Sequence, residues 1–279
     1  MKEDNKCNNI VDWCAENEKY FVPPVCNKCM FEKQLKVFFV GGPNQRKDFH
    51  LEEGEEFFYQ LKNKMNLKLI VHGAVQDLEI PEGYMFMLPS KMEHSPQRFE
   101  NSLGLVVERE RKETEFDCVR YFNSNECNEI LFERWFHLKD VVKDLPPLIN
   151  CFMESVEHKT NKIGDQSFLC KEKFKVIKQD IQKPLNLKAF IEGHKSELEL
   201  GKEVVIYGAP KYKTKVVLFG EGSHLLGKLE KKETLIIMVK GTGYFDNILR
   251  KEDDIMIFKP HRECDFFINP EGVAMSIVM

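Results

Sequence analysis

Short segments rich in β-branched and aromatic residues recur along residues 34–108, and turn-forming Gly, Pro or Asn separates each segment from the next. Short strands repeated at such spacing are typical of a β-sandwich or a β-barrel. The clearest segments cover residues 34–40, 56–61, 67–71, 84–88 and 104–108. We therefore predict a mainly β fold whose first part is a barrel.

The strand pattern returns in the last third of the chain. Residues 254–260 (DIMIFKP) have the same pattern as residues 83–89 (GYMFMLP), with proline at the end of both. Residues 234–239 (TLIIMV) likewise resemble residues 56–61 (EFFYQL). The repeat predicts two barrels of one ancestry within a single chain.

Two stretches between the barrels have a different character. Residues 128–158 contain longer segments that favour helix, including two consecutive prolines that open one of them. Residues 163–179 are polar and rich in lysine, as in a linker. We predict a first domain over residues 1–162, a linker over 163–179 and a second domain over 180–279.

Two histidines and one carboxylate stand where a barrel could bring them together. His50 ends one predicted strand, Glu56 begins the next, and an acidic turn around Gly54 joins the two strands as a hairpin. His94 follows a further strand and turn. Two imidazoles and a carboxylate on one face of a metal are the ligands of non-haem Fe(II) oxygenases. We predict that His50, Glu56 and His94 bind the metal.

The second barrel offers no such set of ligands. Our alignment of the two halves places Lys228, Thr234 and Asp265 at the three ligand positions. Lysine and threonine cannot replace an imidazole and a carboxylate as metal ligands. We therefore expect a degenerate second barrel that binds no metal.

Charge and composition exclude several classes of partner. The chain has 41 Lys and Arg against 45 Asp and Glu, so we expect neither a nucleic-acid partner nor an anionic membrane surface. A small anionic substrate held by local arginine remains compatible with this balance. No signal peptide or membrane-spanning run is evident, and the nine scattered cysteines suit reduced thiols. We expect a cytosolic protein.

Two cysteines at close spacing need separate treatment. Cys26 and Cys29 could supply half of a zinc site or act as a redox pair, and no second pair exists in the sequence. We favour two ordinary thiols. A lesser hypothesis is that Cys26 makes the protein sensitive to oxidation.

Local motifs resemble a known family. The pattern of His50, Glu52 and Glu56, followed by residues 81–83 (PEG) and by His94, resembles the cupin superfamily. Four longer motifs resemble the 3-hydroxyanthranilate 3,4-dioxygenase family: residues 23–28 (PPVCNK), 41–50 (GGPNQRKDFH), 94–99 (HSPQRF) and 104–109 (GLVVER). The resemblance implies two cupin barrels, each a double-stranded β-helix, with a few short helices.

The resemblance also implies an activity and roles for individual residues. The reaction would open the ring of 3-hydroxyanthranilate with O₂ at Fe(II), giving 2-amino-3-carboxymuconate semialdehyde on the kynurenine route to quinolinate and NAD. Arg98 would clamp the substrate carboxylate, Glu108 would bind the same end of the substrate and position Arg98, and Glu56 would also contact the substrate. Arg46 would lie near O₂, and Asn27 is a weaker candidate for a substrate contact.

Alternatives to these assignments remain open. A cupin binding module or a metal-dependent isomerase would keep the barrel without oxygen chemistry. We expect Glu52, Glu53 and Glu55 to form a solvated turn, and Arg109 and Arg111 to point outward or form salt bridges. A tethered second barrel could cover the surface through which single-barrel relatives dimerise, so we expect a monomer.

Overall fold

The computed structural model describes residues 7–23, 26–226 and 231–279. The fold is mainly β, as predicted. The chain divides into two compact units, one formed by residues 40–184 and the other by residues 1–39 together with 185–279. No helix in the described ranges is long and apolar enough to cross a membrane.

The elements are numbered in chain order. The strands are β1 Cys7–Asn9, β2 Asn27–Glu32, β3 Leu35–Gly41, β4 Asn44–Gln45, β5 Phe49–Leu51, β6 Glu56–Lys62, β7 Met65–Val71, β8 Ala74–Ile80, β9 Tyr84–Leu88, β10 His94–Arg98, β11 Leu103–Arg109, β12 Asp117–Phe122, β13 Ile130–Phe136, β14 Leu185–Asn186, β15 Glu203–Tyr207, β16 Lys215–Phe219, β17 Gly222–Leu226, β18 Thr234–Lys240, β19 Thr242–Phe245, β20 Ile248–Lys251, β21 Asp254–Phe258, β22 Cys264–Ile268 and β23 Val273–Val278. The helices are α1 Ile10–Glu16, α2 Val141–Glu154, α3 Val156–Thr160, α4 Leu187–Gly193 and α5 Lys195–Glu199, with a single 3-10 turn at Glu18–Tyr20.

The unit of residues 40–184 contains two facing sets of antiparallel strands. One sheet has the order β13-β12-β5-β10-β7-β8, with β4 also paired to β10, and the other set has β6 between β9 and β11. Side chains alternate between the two faces of each strand, so one face of each sheet supplies the interior. Phe58, Leu67, Leu69 and Phe86 are buried there. The unit thus has the closed apolar core that a barrel requires.

The segment predicted to be a linker has no regular secondary structure but packs on this same unit. Phe174 is buried against Leu51 and Cys118. The Ile177 N–H donates to the Lys91 carbonyl at 3.0 Å. One buried aromatic side chain and backbone hydrogen bonds therefore hold this segment against the unit of residues 40–184, although its polar composition predicted an extended linker.

The other unit is built from two antiparallel sheets, with the orders β1-β21-β18-β23-β16-β15 and β17-β22-β19-β20. The N-terminal strand belongs to it because Cys7 pairs with Met256 in the register of β1 and β21, and the Ile10 N–H donates to the Asp253 carbonyl at 2.8 Å. No local sequence pattern reveals this pairing between strands that are distant in the chain. The division into residues 1–162, 163–179 and 180–279 stays a prediction.

The register of the two units confirms the repeat. Glu56 lies opposite Leu88 where β6 pairs with β9, and Thr234 lies opposite Phe258 where β18 pairs with β21. Thr234 therefore occupies the position of Glu56, as the alignment predicted.

The alignment of residues 83–89 with residues 254–260 is wrong by one residue, because Leu88 corresponds to Phe258 and not to Lys259, and the same error carries over to the counterpart of His94. His94 begins β10 six residues after Leu88, and the residue six after Phe258 is Cys264, which begins β22. Cys264 is buried whereas Asp265 is exposed, because alternate side chains of a strand point to opposite faces. Cys264, not Asp265, is the counterpart of His94. The third predicted counterpart, Lys228, lies outside the described residues.

Candidate metal centre

Three strands of the first barrel bring the predicted ligands together. His50 on β5 and His94 on β10 lie directly opposite each other in antiparallel register, and their ring centroids are 5.3 Å apart. Glu56 is the first residue of β6, and its Oε1 lies 3.1 Å from His94 Nε2. One ligand atom from each residue lies within 4.8 Å of the others, and all three residues are buried. The predicted triad is thus a compact cluster that could hold a metal ion.

Hydrogen bonds fix the orientation of both imidazoles. His94 Nδ1 lies 3.0 Å from the Met92 carbonyl oxygen, so an N–H there leaves Nε2 as the potential ligand atom. His50 Nε2 lies 2.8 Å from Asp117 Oδ2. A histidine that binds a metal characteristically donates its other N–H to a carboxylate or a carbonyl. Both rings have the partner that this arrangement requires.

The electrostatic environment suits metal binding by these residues. Burial lowers the pKa of His50, and this effect exceeds the opposing influence of Asp117, so the ring is neutral near pH 7. Burial alone would raise the pKa of Glu56, but the electrostatic interaction with the neighbouring His94 ring and the hydrogen bond between the two hold that pKa below the ordinary value. A neutral imidazole and an ionised carboxylate are the forms that bind a metal. The donor set therefore fits a hard or borderline divalent cation.

A second acidic cluster lies beside the triad. Glu52, Glu56 and Glu108 place one carboxylate oxygen each within 4.8 Å of one another, and all three are buried. Arg111 Nη2 lies 2.8 Å from Glu52 Oε2, and Arg111 Nη1 lies 2.7 Å from Glu108 Oε2. Burial raises the pKa of Glu52 well above its ordinary value and raises the pKa of Glu108, although Arg111 opposes both shifts. The cluster is therefore a buried ion network and not a surface feature.

These contacts correct two expectations. Glu52 was expected in a solvated turn, but it is 3% exposed. Arg111 forms the predicted salt bridges, yet its side chain is only 6% exposed and lies beside the site. A hydrogen bond between the Glu52 and Glu56 side chains contributes to the raised pKa of Glu52. Glu52 is therefore part of the buried site and not of a solvated turn.

Arg98 is held on the same strand as His94. It is four residues further along β10, so strand alternation places both side chains on one face. Arg98 is 2% exposed, and its Nη1 lies 3.5 Å from Gln60 Oε1. A Cβ atom at Gly104 would lie 2.6 Å from Arg98 Nη1 and 2.8 Å from Gln60 Oε1. The absence of a side chain at Gly104 therefore makes room for the guanidinium.

Arg46 contacts a different set of groups. Its guanidinium forms an ion pair with the buried carboxylate of Asp48, and its side chain is 21% exposed. It also lines a cavity of about 290 Å³ together with Tyr121 and Phe152, whose rings stack. Within the described ranges, the lining of this cavity includes none of the three candidate ligands. The role of Arg46 near O₂ stays a prediction.

The remaining sequence candidates belong to the other compact unit. Asn27 is the first residue of β2, and its predicted contact with the substrate stays a prediction. Cys26 and Cys29 form no disulfide bond, and neither do the other seven cysteines. Neither candidate metal group found in the described part of the chain contains a cysteine.

Comparison with known proteins places this geometry in a family. The family model described as 3-hydroxyanthranilic acid dioxygenase matches residues 2–153. A curated relative from Caenorhabditis elegans, named 3-hydroxyanthranilate 3,4-dioxygenase, is 54% identical over 277 residues and the match covers 97% of this chain and 96% of the relative. The chain belongs to the 3-hydroxyanthranilic acid dioxygenase family.

Other members of the dioxygenase family and one solved structure agree with this placement. The Homo sapiens 3-hydroxyanthranilate 3,4-dioxygenase is 44% identical over 211 residues, covering 76% of this chain and 73% of that protein. A cupin 2 conserved barrel domain protein from Leptotrichia buccalis has a TM-score of 0.53 at 10% identity, covering 99% of this chain and 97% of that one. The latter likeness shows the fold alone. The two barrels of this family member are cupin barrels, as the sequence motifs implied.

Sequence reasoning missed two residues that the structure places beside the dioxygenase triad. Asp117 is fully buried and contacts His50, and Arg111 contacts Asp117 as well as the acidic cluster. Asp117 opens a strand that is apolar apart from Arg120 and Tyr121, which is the only local signal for it. Arg111 follows the alternating charges of residues 108–111, a pattern that is usual on exposed strands.

Proposed function

We propose that this chain is an Fe(II)-dependent dioxygenase that opens the ring of 3-hydroxyanthranilate with O₂ to give 2-amino-3-carboxymuconate semialdehyde, on the kynurenine route to quinolinate and NAD. The observation that carries the proposal is the buried cluster of His50, Glu56 and His94 beside the buried guanidinium of Arg98. Membership of the dioxygenase family supports the same reaction. The substrate is a small aromatic acid, and the buried guanidinium of Arg98 suits its carboxylate.

His50, Glu56 and His94 would hold the iron, because two imidazoles and one carboxylate are the usual ligands of Fe(II) in oxygenases. Bound there, Fe(II) would supply the redox chemistry that allows triplet O₂ to react with a closed-shell aromatic ring. The chain's own residues must then bind the substrate, orient it and exclude water. The burial of all three candidate ligands supports the exclusion of water.

Arg98 would bind the substrate carboxylate through two parallel hydrogen bonds, a geometry that the planar guanidinium favours. Because Arg98 is buried, water competes poorly for this ion pair, so the contact both binds the substrate and fixes the orientation of its ring. Glu108 has one carboxylate oxygen engaged by Arg111. Its other oxygen could accept a hydrogen bond from the amino or hydroxyl group of the substrate.

Arg46 and Asn27 are the last two residues to which we assign a role in the reaction. Arg46 would stabilise negative charge near O₂, and its firm ion pair with Asp48 would hold it in place. Asn27 would contact the substrate. Both assignments rest on motif resemblance. Arg46→Ala and Asn27→Ala variants with unchanged KM and kcat would contradict them.

The competing hypothesis is a cupin binding module or a metal-dependent isomerase. The decisive experiment reconstitutes the purified protein with Fe(II) under anaerobic, reducing conditions and then adds 3-hydroxyanthranilate and O₂. An oxygen electrode measures O₂ uptake, and near-ultraviolet absorbance follows the ring-opened product. We expect stoichiometric uptake of O₂. A protein that binds Fe(II) and the aromatic acid but consumes no O₂ would favour the competing hypothesis.

We further propose that the chain is a monomer in the cytosol. One chain already contains two barrels, and none of the nine cysteines forms a disulfide bond, as expected in a reducing compartment. Light scattering on the purified protein measures the mass. A dimeric mass would contradict the first statement.

A further inference from the structure

We propose that Arg111 is a positioning residue of the metal centre, which holds three buried carboxylates, Asp117, Glu52 and Glu108, against the metal-binding and substrate-binding groups. The metal-binding part of this inference stands on geometry, and the substrate-binding part rests on the proposed function.

The contacts of Arg111 use the whole guanidinium. Its Nε lies 3.2 Å from Asp117 Oδ1 and its Nη2 lies 3.0 Å from Asp117 Oδ2, which is a bidentate pair. Nη2 also lies 2.8 Å from Glu52, and Nη1 lies 2.7 Å from Glu108. None of the four side chains is more than 7% exposed. One cation therefore fixes three carboxylates at once in a region shielded from water.

A short chain of contacts connects this cation to a metal ligand. Arg111 fixes the Asp117 carboxylate, and Asp117 Oδ2 in turn lies 2.8 Å from His50 Nε2. Partners of this kind set the orientation of a metal-binding histidine, and their loss typically lowers metal affinity by roughly 10–100-fold. Displacing Arg111 should therefore loosen His50 without touching it directly.

Two further contacts reach the remaining groups of the site. Glu52 belongs to the same buried carboxylate cluster as the candidate ligand Glu56, and Glu108 is the proposed substrate contact. Without a cation between them, Glu52 and Glu108 would repel each other and Glu56. Arg111 thus keeps the acidic residues close together, in a geometry that a single ammonium could not reproduce, because lysine presents a compact point charge and not a planar fork.

The sheet that contains His50 also supplies a matched control for Arg111. Arg120 on β12 is also buried and binds three carboxylates, with Nη1 at 2.7 Å from Glu93 and Nη2 at 3.1 Å from Glu172, and with Glu133 as its third partner. Arg120 lies opposite Phe49 in the pairing of β12 with β5, one position away from His50, so its side chain is on the other face. None of its three carboxylates belongs to the candidate metal groups.

The test compares Arg111→Lys with Arg120→Lys. Co(II) serves as an air-stable spectroscopic probe, and its absorption spectrum reports the dissociation constant without any turnover. We expect Arg111→Lys to raise the Co(II) dissociation constant by roughly 10–100-fold and to raise KM for 3-hydroxyanthranilate, while circular dichroism shows a folded protein. Arg120→Lys should lower the melting temperature and leave the Co(II) dissociation constant unchanged. Wild-type Co(II) affinity in folded Arg111→Lys, or an equal loss of affinity in both variants, would overturn the proposal.

A second variant covers the case in which Arg111→Lys does not fold. Asp117→Asn keeps the shape of the side chain but removes the charge that links Arg111 to His50. It should also weaken Co(II) binding, and normal affinity would overturn the proposed link. If the wild-type protein binds Co(II) as expected yet consumes no O₂ with Fe(II) and substrate, the proposed function fails while the role of Arg111 in metal binding stands.

Discussion

Gln60 lies opposite Gly104 where β6 pairs with β11, and Met238 lies opposite Ala274 where β18 pairs with β23. The two barrels therefore share one register, and their interiors can be compared position by position. On these matched strands the backbone register is the same, so the comparison of matched positions is a comparison of side-chain chemistry.

The polar positions of the first barrel become mostly apolar in the second. In that order, Glu56, Gln60, His94, Arg98 and Glu108 correspond to Thr234, Met238, Cys264, Ile268 and Val278. Most of the second-barrel residues in this set belong to a buried apolar cluster that also contains several phenylalanines. Buried polar groups cost stability unless they are paired, so a barrel without a ligand gains from replacing them. The roles proposed for these residues in metal and substrate binding would account for their presence in the first barrel.

The largest effect should come from giving the first barrel the residue of the second at a metal ligand. Glu56→Thr removes the only carboxylate of the triad, and we expect a loss of Fe(II) larger than the roughly 10–100-fold that follows loss of an outer partner. Metal analysis after anaerobic reconstitution measures the bound iron. Thr234→Val, at the matched position of the second barrel, is the control and should retain full iron content. Stoichiometric iron in Glu56→Thr would show that the ligand set is misassigned.

Arg98→Ile makes the corresponding exchange at the substrate clamp. It should leave iron binding intact, because Arg98 is not a ligand, while KM for 3-hydroxyanthranilate rises. A hydrogen bond to a charged group contributes about 1.5–3 kcal/mol, which corresponds to about 10–150-fold in affinity. Steady-state kinetics on iron-loaded protein gives the value. Equal loss of iron in Arg98→Ile and Glu56→Thr would contradict the separate roles.

A smaller effect should follow from Gly104→Ala, which installs the residue found at Ala274. The new Cβ would displace the ends of two flexible side chains, Arg98 and Gln60, so folding should tolerate it. We expect an increase in KM with little change in melting temperature. Ala274→Gly is the reverse control and should lower stability without changing KM. An unchanged KM in Gly104→Ala would show that Arg98 does not depend on the space at Gly104.

The sequence predicted the features that depend on local pattern. Strand alternation and turn residues revealed the barrel strands, and the spacing of His50, Glu56 and His94 around two turns predicted the triad that the structure brings together. The repeat also predicted that Thr234 is the counterpart of Glu56. It failed by one residue at Cys264, and an alignment error of one residue is enough to assign a side chain to the wrong face of a strand.

Features that depend on contacts between distant segments were not predictable. Arg111 lies in the loop between β11 and β12, and Asp117 begins β12. Their importance appears only when the barrel brings Arg111 to Glu52 and Asp117 to His50. Alternating charges in a sequence normally indicate an exposed strand face. A buried network of ion pairs therefore cannot be distinguished from a surface by its sequence pattern. The grouping of β1 with β21 is hidden for the same reason, since the two strands are separated by most of the chain.

The smallest expected effect is a difference in pH dependence at Cys264, the counterpart of His94. Burial, assisted by the charge of Asp246, raises the pKa of the Cys264 thiol to about 12. In the unfolded chain the thiol ionises near its ordinary value of about 8.5. Above that pH the unfolded state has lost a proton that the folded state still holds. The thiol therefore costs no stability below about pH 8.5, and it lowers the free energy of unfolding by about 1.4 kcal/mol per pH unit as the pH rises toward the folded pKa. Urea unfolding between pH 8 and 10 should therefore show a shallower decline for Cys264→Ala than for the wild type, whatever constant difference the lost side chain adds. Equal slopes for the wild type and Cys264→Ala would mean that the thiol ionises equally in the folded and the unfolded state. Water would then reach Cys264, at the position where the first barrel would hold a metal ligand.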